Sequence, residues 1–247
     1  MPEQTRPAAR DPVVQMRQMT RRSLFTGSIA AGAGMLGLTW LGATAEDEGI
    51  PWPLRRVLTL NEGLARAAFR QQSTASEFAA QAAEEPRVNG SIGLDNPPPG
   101  TAAQIQVSSA GRELRVGVDV LKRMTRVEHT TELKCIEGWS TPVTWAGIRL
   151  RDVAEHFRLA GSYVALETPD RAYYVGLDAA SALHPQTLLC FEMNGEPLSS
   201  DHGAPLRLVI PVKYGIKNLK RIGSIRFTED RPADYWAERG YDWYAGL

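Results

Sequence analysis

The sequence predicts a mixed, β-rich α+β domain behind an amino-terminal helix, and three observations lead there. Between Ala103 and Thr228, apolar runs of strand length recur, set apart by glycine, proline and asparagine turn signals. Helical periodicity replaces alternation in two of the intervals between them. No internal repeat, heptad pattern or low-complexity block appears, and 247 residues at 43% hydrophobic composition are enough for one sizeable core.

The first element is the leader. Thr20-Arg21-Arg22-Ser23-Leu24-Phe25 precedes an uncharged stretch from Ser23 to Ala45. Arg6, Arg10 and Arg17 make the lead positive, five glycines dilute the apolar stretch, and Ala43-Thr44-Ala45 offers small residues before Glu46-Asp47-Glu48. That is the pattern of a twin-arginine export signal. The plain alternative is a single-span membrane anchor over residues 23–45. Either reading places the globular part outside the cytoplasm, in the periplasm or its equivalent.

Leu54, Val57, Leu58, Leu64, Ala68 and Phe69 then recur at helical spacing behind Pro51-Trp52-Pro53, which predicts an amphipathic helix over 54–72. Small and polar residues from Ser73 to Pro99, ending in Pro97-Pro98-Pro99-Gly100, predict a long ordered loop. Strands follow at 105–108, 113–118, 127–135, 143–148, 163–167, 172–177, 187–193, 205–211 and 224–228, with helices at 119–124 and 150–159. Asn194-Gly195 marks a tight turn. The organisation expected is a signal or anchor at 1–45, a helical extension and linker at 46–86, and the main domain at 87–247.

Formal net charge is zero and no long basic face appears, so nothing points to a nucleic-acid partner. A small neutral or mildly anionic substrate fits better. Cys135 stands where an alternating strand runs out into Glu137-Gly138-Trp139, a place that displays a thiolate to a soft metal. Cysteine counting alone makes a Cys135–Cys190 disulfide an alternative. Folding before export among reduced thiols, and the apolar run Leu188-Leu189-Cys190-Phe191, favour a core thiol at Cys190 instead. His129, His156, His184 and His202 show no zinc or haem-attachment spacing. The basic segment from Pro211 to Arg221 holds Lys213, Lys217 and Lys220 around Gly215, and reads either as a phosphate cradle or as a solvated loop.

Three blocks together carry a resemblance: Glu132 through Ser140, His202-Gly203-Ala204-Pro205-Leu206-Arg207-Leu208, and Lys213-Tyr214-Gly215-Ile216-Lys217. In order and spacing they resemble the haem-free bacterial branch of the sulfite oxidase family, over about residues 87 to 240. The resemblance implies a mixed α+β fold around one molybdenum, held by the two dithiolene sulfurs of molybdopterin and one cysteine thiolate. Cys135 matches that ligand. Asn89, Thr168, His202, Arg207 and the run Asn218, Leu219, Lys220 fall where the family contacts the pterin and its phosphate, and Lys213 and Lys217 lie in the same basic segment. Glu137 and Trp139, just after the ligand, are expected to line the substrate side. The arginine that sulfite-oxidising members place shortly after the ligand is replaced here by Ile136 to Ser140, which argues against sulfite.

The segment resembles more the catalytic subunit of periplasmic methionine-sulfoxide reductase, without its longer insertion after Thr168. The activity implied is two-electron oxygen-atom transfer, in the direction of sulfoxide or N-oxide reduction, with electrons from a membrane haem protein or a cytochrome. Two alternatives stand beside it: a small-substrate oxidase giving electrons to a cytochrome, and an exported metal-free binding module of the same fold.

Overall fold

The computed structural model describes residues 12–94 and 104–247, with side chains from residue 26 onward. The Pro97-Pro98-Pro99-Gly100 turn and the side chains of Arg21 and Arg22 therefore lie outside the described residues. Helix α1 (Pro12–Ala43) leads into a two-stranded hairpin, β1 (Glu46–Asp47) and β2 (Ile50–Pro51), and then α2 (Trp52–Ala68). Among the described residues no helix is long and apolar enough to cross a membrane. Pro53 sits in the first turn of α2, where its missing N–H leaves no hydrogen bond unmade.

An arm over residues 70–94 follows, with one short 3₁₀ turn at Ala80–Ala82. It is the long loop expected from its composition, and main-chain bonds tie it down. Phe78 N donates to Thr130 O at 2.9 Å, and Glu84 N to Pro142 O at 2.9 Å.

The body has two five-stranded sheets. In one, β4 (Arg112–Gly117), β3 (Gln104–Ser109), β12 (Ser224–Thr228), β7 (Tyr163–Glu167) and β8 (Tyr174–Asp178) lie side by side, with only β3 and β12 parallel. In the other, β5 (Val127–Lys134), β6 (Ser140–Arg149) and β9 (Leu188–Met193) are joined by the short β10 (Glu196–Pro197) and β11 (Arg207–Val209). Helices α3 (Val118–Lys122), α4 (Leu150–Phe157) and α5 (Ala179–Ala182) connect them.

The apolar run in β9 has its reason here. Leu189 and Phe191 join the main core with Val107, Val164, Leu166 and Ile225 of the first sheet, whereas Leu188 and Cys190 join Val143, Trp145 and Val209 on the opposite face. Both faces are covered, so the strand reads as continuous rather than alternating. β6 makes room for it with a bulge at Ala146/Gly147. A Cβ on Gly147 would lie 2.1 Å from Leu189 O, so only glycine permits that approach. Asn194 and Gly195, with φ of 51° and 83°, close the β9–β10 hairpin as their pairing predicts.

The amphipathic helix expected over 54–72 runs from Trp52 to Ala68 and carries its apolar stripe outward. α2 turns Arg55 and Glu62 inward and leaves Leu54, Val57, Leu60 and Leu64 exposed. Four carbonyls account for Arg55: its guanidinium donates to Asp47 O, Glu48 O, Ala237 O and Tyr241 O at 2.7 to 3.3 Å. Glu62 is held by Arg66 and Arg231 at 3.5 and 3.0 Å.

Candidate cofactor site

The tip of the β5–β6 hairpin makes one wall of a cavity of about 380 Å³. Cys135 N donates to Trp139 O at 2.9 Å and Gly138 N to Cys135 O at 3.2 Å, so the chain reverses directly after the cysteine. Gly138, at φ 86°, supplies the left-handed step of the turn. Cys135 is free and half-buried.

The arm crosses in front of this tip. Asn89 Nδ2 lies 3.6 Å from Cys135 Sγ and donates to Glu137 Oε2 at 3.1 Å, and Trp139 Nε1 donates to the same oxygen at 3.1 Å. The indole bond first and the Asn89 bond second hold the Glu137 carboxyl below its ordinary pKa. Arg87 stacks over the Trp139 ring, 5.8 Å from its centroid.

At another part of the lining stand three basic side chains. Arg207, from β11, is buried against the Trp145 ring at 4.6 Å, and its Nη1 donates to His202 O at 3.1 Å. Among the described residues its Nε has no partner, and burial pushes its pKa down to about 10. His202 is 3% exposed, its Nε2 likewise without a partner among the described residues; burial, then Arg207 and Lys220, push its pKa down. Lys220 Nζ donates to Asn89 O at 2.8 Å and Gly90 O at 3.0 Å, and burial, then Arg207, push it down to about 8. Among the described residues no carboxylate forms an ion pair with Arg207 or Lys220. A buried guanidinium left without a counter-charge is costly, and an anion between Arg207 and Lys220 removes that cost.

Of the residues singled out from sequence, the cavity lining brings together Cys135, Glu137, Trp139, Asn89, His202, Arg207, Asn218 and Lys220. Asn218 braces its own loop, accepting from Ile210 N at 2.8 Å. Four others lie outside the lining. Leu219 is fully buried in the main core. The Thr168 hydroxyl donates to Asp170 Oδ1 at 2.6 Å and accepts from Tyr173 N at 3.1 Å.

Lys217 is not a cradle residue by geometry, because its ammonium bonds Asp234 Oδ2 at 2.5 Å and Gly176 O at 3.0 Å in the interior. Lys213 is turned toward Tyr244, with Nζ 2.8 Å from the ring centroid. The basic segment is thus not a solvated loop: Lys220 reaches the cavity, and Lys213 and Lys217 are buried elsewhere. Sequence reasoning missed Arg87, Gly90, Ile92, Tyr173, Ile216 and Tyr241 as lining residues. The arm that carries the first three has no periodicity to signal them.

Among the described residues, no group of three or more His, Cys, Asp or Glu side chains could hold a metal ion. A metal at Cys135 needs its remaining ligands from a cofactor. Residues 99–236, more than half of the chain, match the family model described as oxidoreductase molybdopterin binding domain. The chain belongs to this molybdopterin-binding oxidoreductase family. The cofactor is accordingly molybdenum-molybdopterin, and the residues present fit it: a soft thiolate for the metal, and Arg207, Lys220 and His202, none of them ion-paired among the described residues, for a phosphate and the polar edge of a pterin.

Over 134 residues this molybdopterin-binding chain is 36% identical to the putative protein-methionine-sulfoxide reductase subunit YedZ1 of Azospira oryzae, covering 52% of this chain and 50% of that protein. It is 38% identical over 134 residues to the protein-methionine-sulfoxide reductase catalytic subunit MsrP of Xanthomonas campestris pv. campestris, covering 48% and 42%. The chain spans about half the length, or less, of these curated relatives. Among solved structures, the sulfane dehydrogenase SoxCD from Paracoccus pantotrophus aligns with a TM-score of 0.49 at 17% identity, over 53% of this chain and 39% of that one.

Proposed function

We propose that the protein is an exported oxidoreductase that reduces a sulfoxide, such as the oxidised side chain of methionine, to the thioether. The observation that carries this reading is one cavity with two unlike parts, a thiol at a hairpin tip and a basic group, buried Arg207 and half-buried Lys220, that forms no ion pair with a carboxylate among the described residues. When bound, molybdenum-molybdopterin supplies the two-electron oxygen-transfer chemistry. Two electrons and two protons convert the sulfoxide to thioether and water, and an external haem protein, in the membrane or soluble, is the class of donor that fits. The names of the curated relatives support the substrate class. Thr20-Arg21-Arg22 and the uncharged stretch behind it support export by the twin-arginine route.

The chain's own residues perform binding and positioning. Cys135 anchors the metal, Arg207 and Lys220 hold the phosphate, and Asn89 steadies both Cys135 and Glu137. Ile136, Trp139, Trp236 and Tyr241 give the cavity an apolar, aromatic wall, which receives a thioether carbon chain without demanding a charge. The test is molybdenum analysis of protein made in a host able to synthesise molybdopterin, followed by a reduced-dye assay with methionine sulfoxide and an N-oxide. About one molybdenum per chain and dye oxidation by the sulfoxide are expected, both lost in Cys135→Ser. A Cys135→Ser protein with full metal and activity would overturn the ligand assignment. A metal-loaded protein that reduces an oxidised dye with a small donor, and never the reverse, would turn the reading to an oxidase.

A further inference from the structure

Helix α2 is inside out for a helix packed on a globular body. Leu54, Val57, Leu60 and Leu64 form one stripe along it, 45%, 54%, 63% and 62% exposed, while its charged Arg55 and Glu62 are buried. An apolar stripe of that kind normally faces the core. Here the core side is occupied by the carbonyls that Arg55 satisfies and by the Glu62–Arg231 pair, so the stripe is left for an outside partner.

The surface continues beyond α2. Trp52 at its start meets Trp40 of α1 edge to face, with ring centroids 6.5 Å apart. Further up α1, Ile29, Met35, Leu36 and Leu38 are exposed, and no charged residue occurs from Thr26 to Ala43. Both helices thus leave apolar side chains in solvent and meet at a tryptophan pair. A row of four exposed apolar side chains on α2 marks a contact site rather than ordinary surface.

Charge selects the partner. From Trp52 to Ala75 the exposed full charges are those of Arg56 and Arg70, with Arg66 half-exposed, and the one acid, Glu62, is turned inward. The nearest exposed carboxylates along the chain lie off the helix, on Glu46, Asp47 and Glu48 of the preceding hairpin, with Glu48 paired to Arg55, and on Glu77 of the arm behind it. A second copy laying its own α2 against this one would bring arginines against arginines. An anionic lipid surface supplies both things the stripe lacks, apolar depth under the leucines and negative headgroups for the arginines.

We propose that α2 lies flat on an anionic lipid surface, with Leu54, Val57, Leu60 and Leu64 in the acyl boundary and Arg56 and Arg70 at the headgroups. The contact needs no membrane span. Through Arg55, which bonds the carbonyls of Ala237 and Tyr241, the docked helix also carries the Trp236–Tyr241 wall of the cavity, and so fixes which side of the molecule faces the lipid.

The test uses the full chain and needs no redox activity. Flotation with phosphatidylcholine vesicles, with and without phosphatidylglycerol, is measured for the wild type and for the triple variant Val57→Gln, Leu60→Gln, Leu64→Gln. These side chains are exposed, so circular dichroism and the thermal midpoint should match the wild type. The expected result is binding to the anionic vesicles that weakens with salt, and a fall of about tenfold or more in the partition coefficient of the triple variant. Full binding by that variant would assign the contact to α1 alone and overturn the proposal. So would no binding of the wild type, or a lipid-independent dimer in light scattering that the triple variant abolishes, which would make the occupant a second copy.

Discussion

Arg207 and Lys213 are both buried, and among the described residues neither forms an ion pair with a carboxylate, yet of the two only Arg207 lines the cavity. Arg207 is expected to receive an anion, and Arg207→Ala should weaken cofactor retention by about tenfold or more, since charge-assisted bonds contribute about 1.5–3 kcal/mol each. Molybdenum per chain after dialysis measures it. Lys213→Met should leave that value unchanged, because Nζ sits over Tyr244, away from the cavity, and makes no hydrogen bond among the described residues.

Lys213 has a different consequence. Burial pushes its pKa down to about 7 from the ordinary 10.5. Between those values the unfolded chain holds a proton that the folded chain has lost, so this residue makes stability rise with pH across that window. The penalty is fully present below about 7 and gone above the unfolded value. Lys213→Met is therefore expected to stabilise the fold at neutral pH by about 1–3 kcal/mol and to flatten the rise. Urea titrations of both proteins at about pH 7 and about pH 10 read the difference directly.

At the scale of elements, strands with a clear apolar pattern were legible. Tyr163–Glu167 and Ser224–Thr228 have the bounds their sequence predicts: the second buries alternate residues on one face, and the first buries a short apolar run, Val164 to Leu166, between polar ends. The four-residue α5 and two-residue β10 were not legible, since neither is long enough to show a period. Pairing was equally hidden: β3 and β12 run parallel across more than a hundred residues of intervening chain. Which face of α2 packs inward was hidden for a physical reason, as two of the four carbonyls that draw Arg55 inward belong to a segment far along the chain.

Two changes test these elements. Gly147→Ala should destabilise the fold by about 3 kcal/mol or more, seen as a lower urea midpoint, because the new methyl would collide with the β9 backbone. Arg55→Ala should cost about 2–5 kcal/mol locally, by orphaning four carbonyls. Amide exchange should then accelerate in residues 46–68 and 236–241 together, while the two main sheets keep their protection.

On the scale of the whole molecule, the candidate site is assembled from segments that sequence order keeps apart: the arm, the β5–β6 tip, β11 and the 215–220 loop. Cys135, His202, Arg207 and Lys220 were legible because their chemistry and spacing resemble a known pattern. Arg87, Gly90 and Ile92 were not, because an aperiodic arm gives no local sign of what it will touch. The family match begins at residue 99, whereas Asn89 and Arg87 already stand at the cavity beside Cys135 and Trp139.

A chain beginning at residue 99 therefore lacks a wall of the cavity. It would lose the carbonyls that Lys220 bonds, the amide beside Cys135, and the arm's bonds to Thr130 and Pro142. A chain beginning at residue 46 keeps the arm and α2 intact. The expectation is that the version from 46 retains about one molybdenum per chain, and that the version from 99 retains less than about a tenth of that, its buried cations exposed to water instead of cofactor. Equal metal content in the two would show that the domain from 99 onward holds the cofactor alone. In that case the arm acts only on access to the substrate side, and the two chains would differ in KM for the sulfoxide and not in metal.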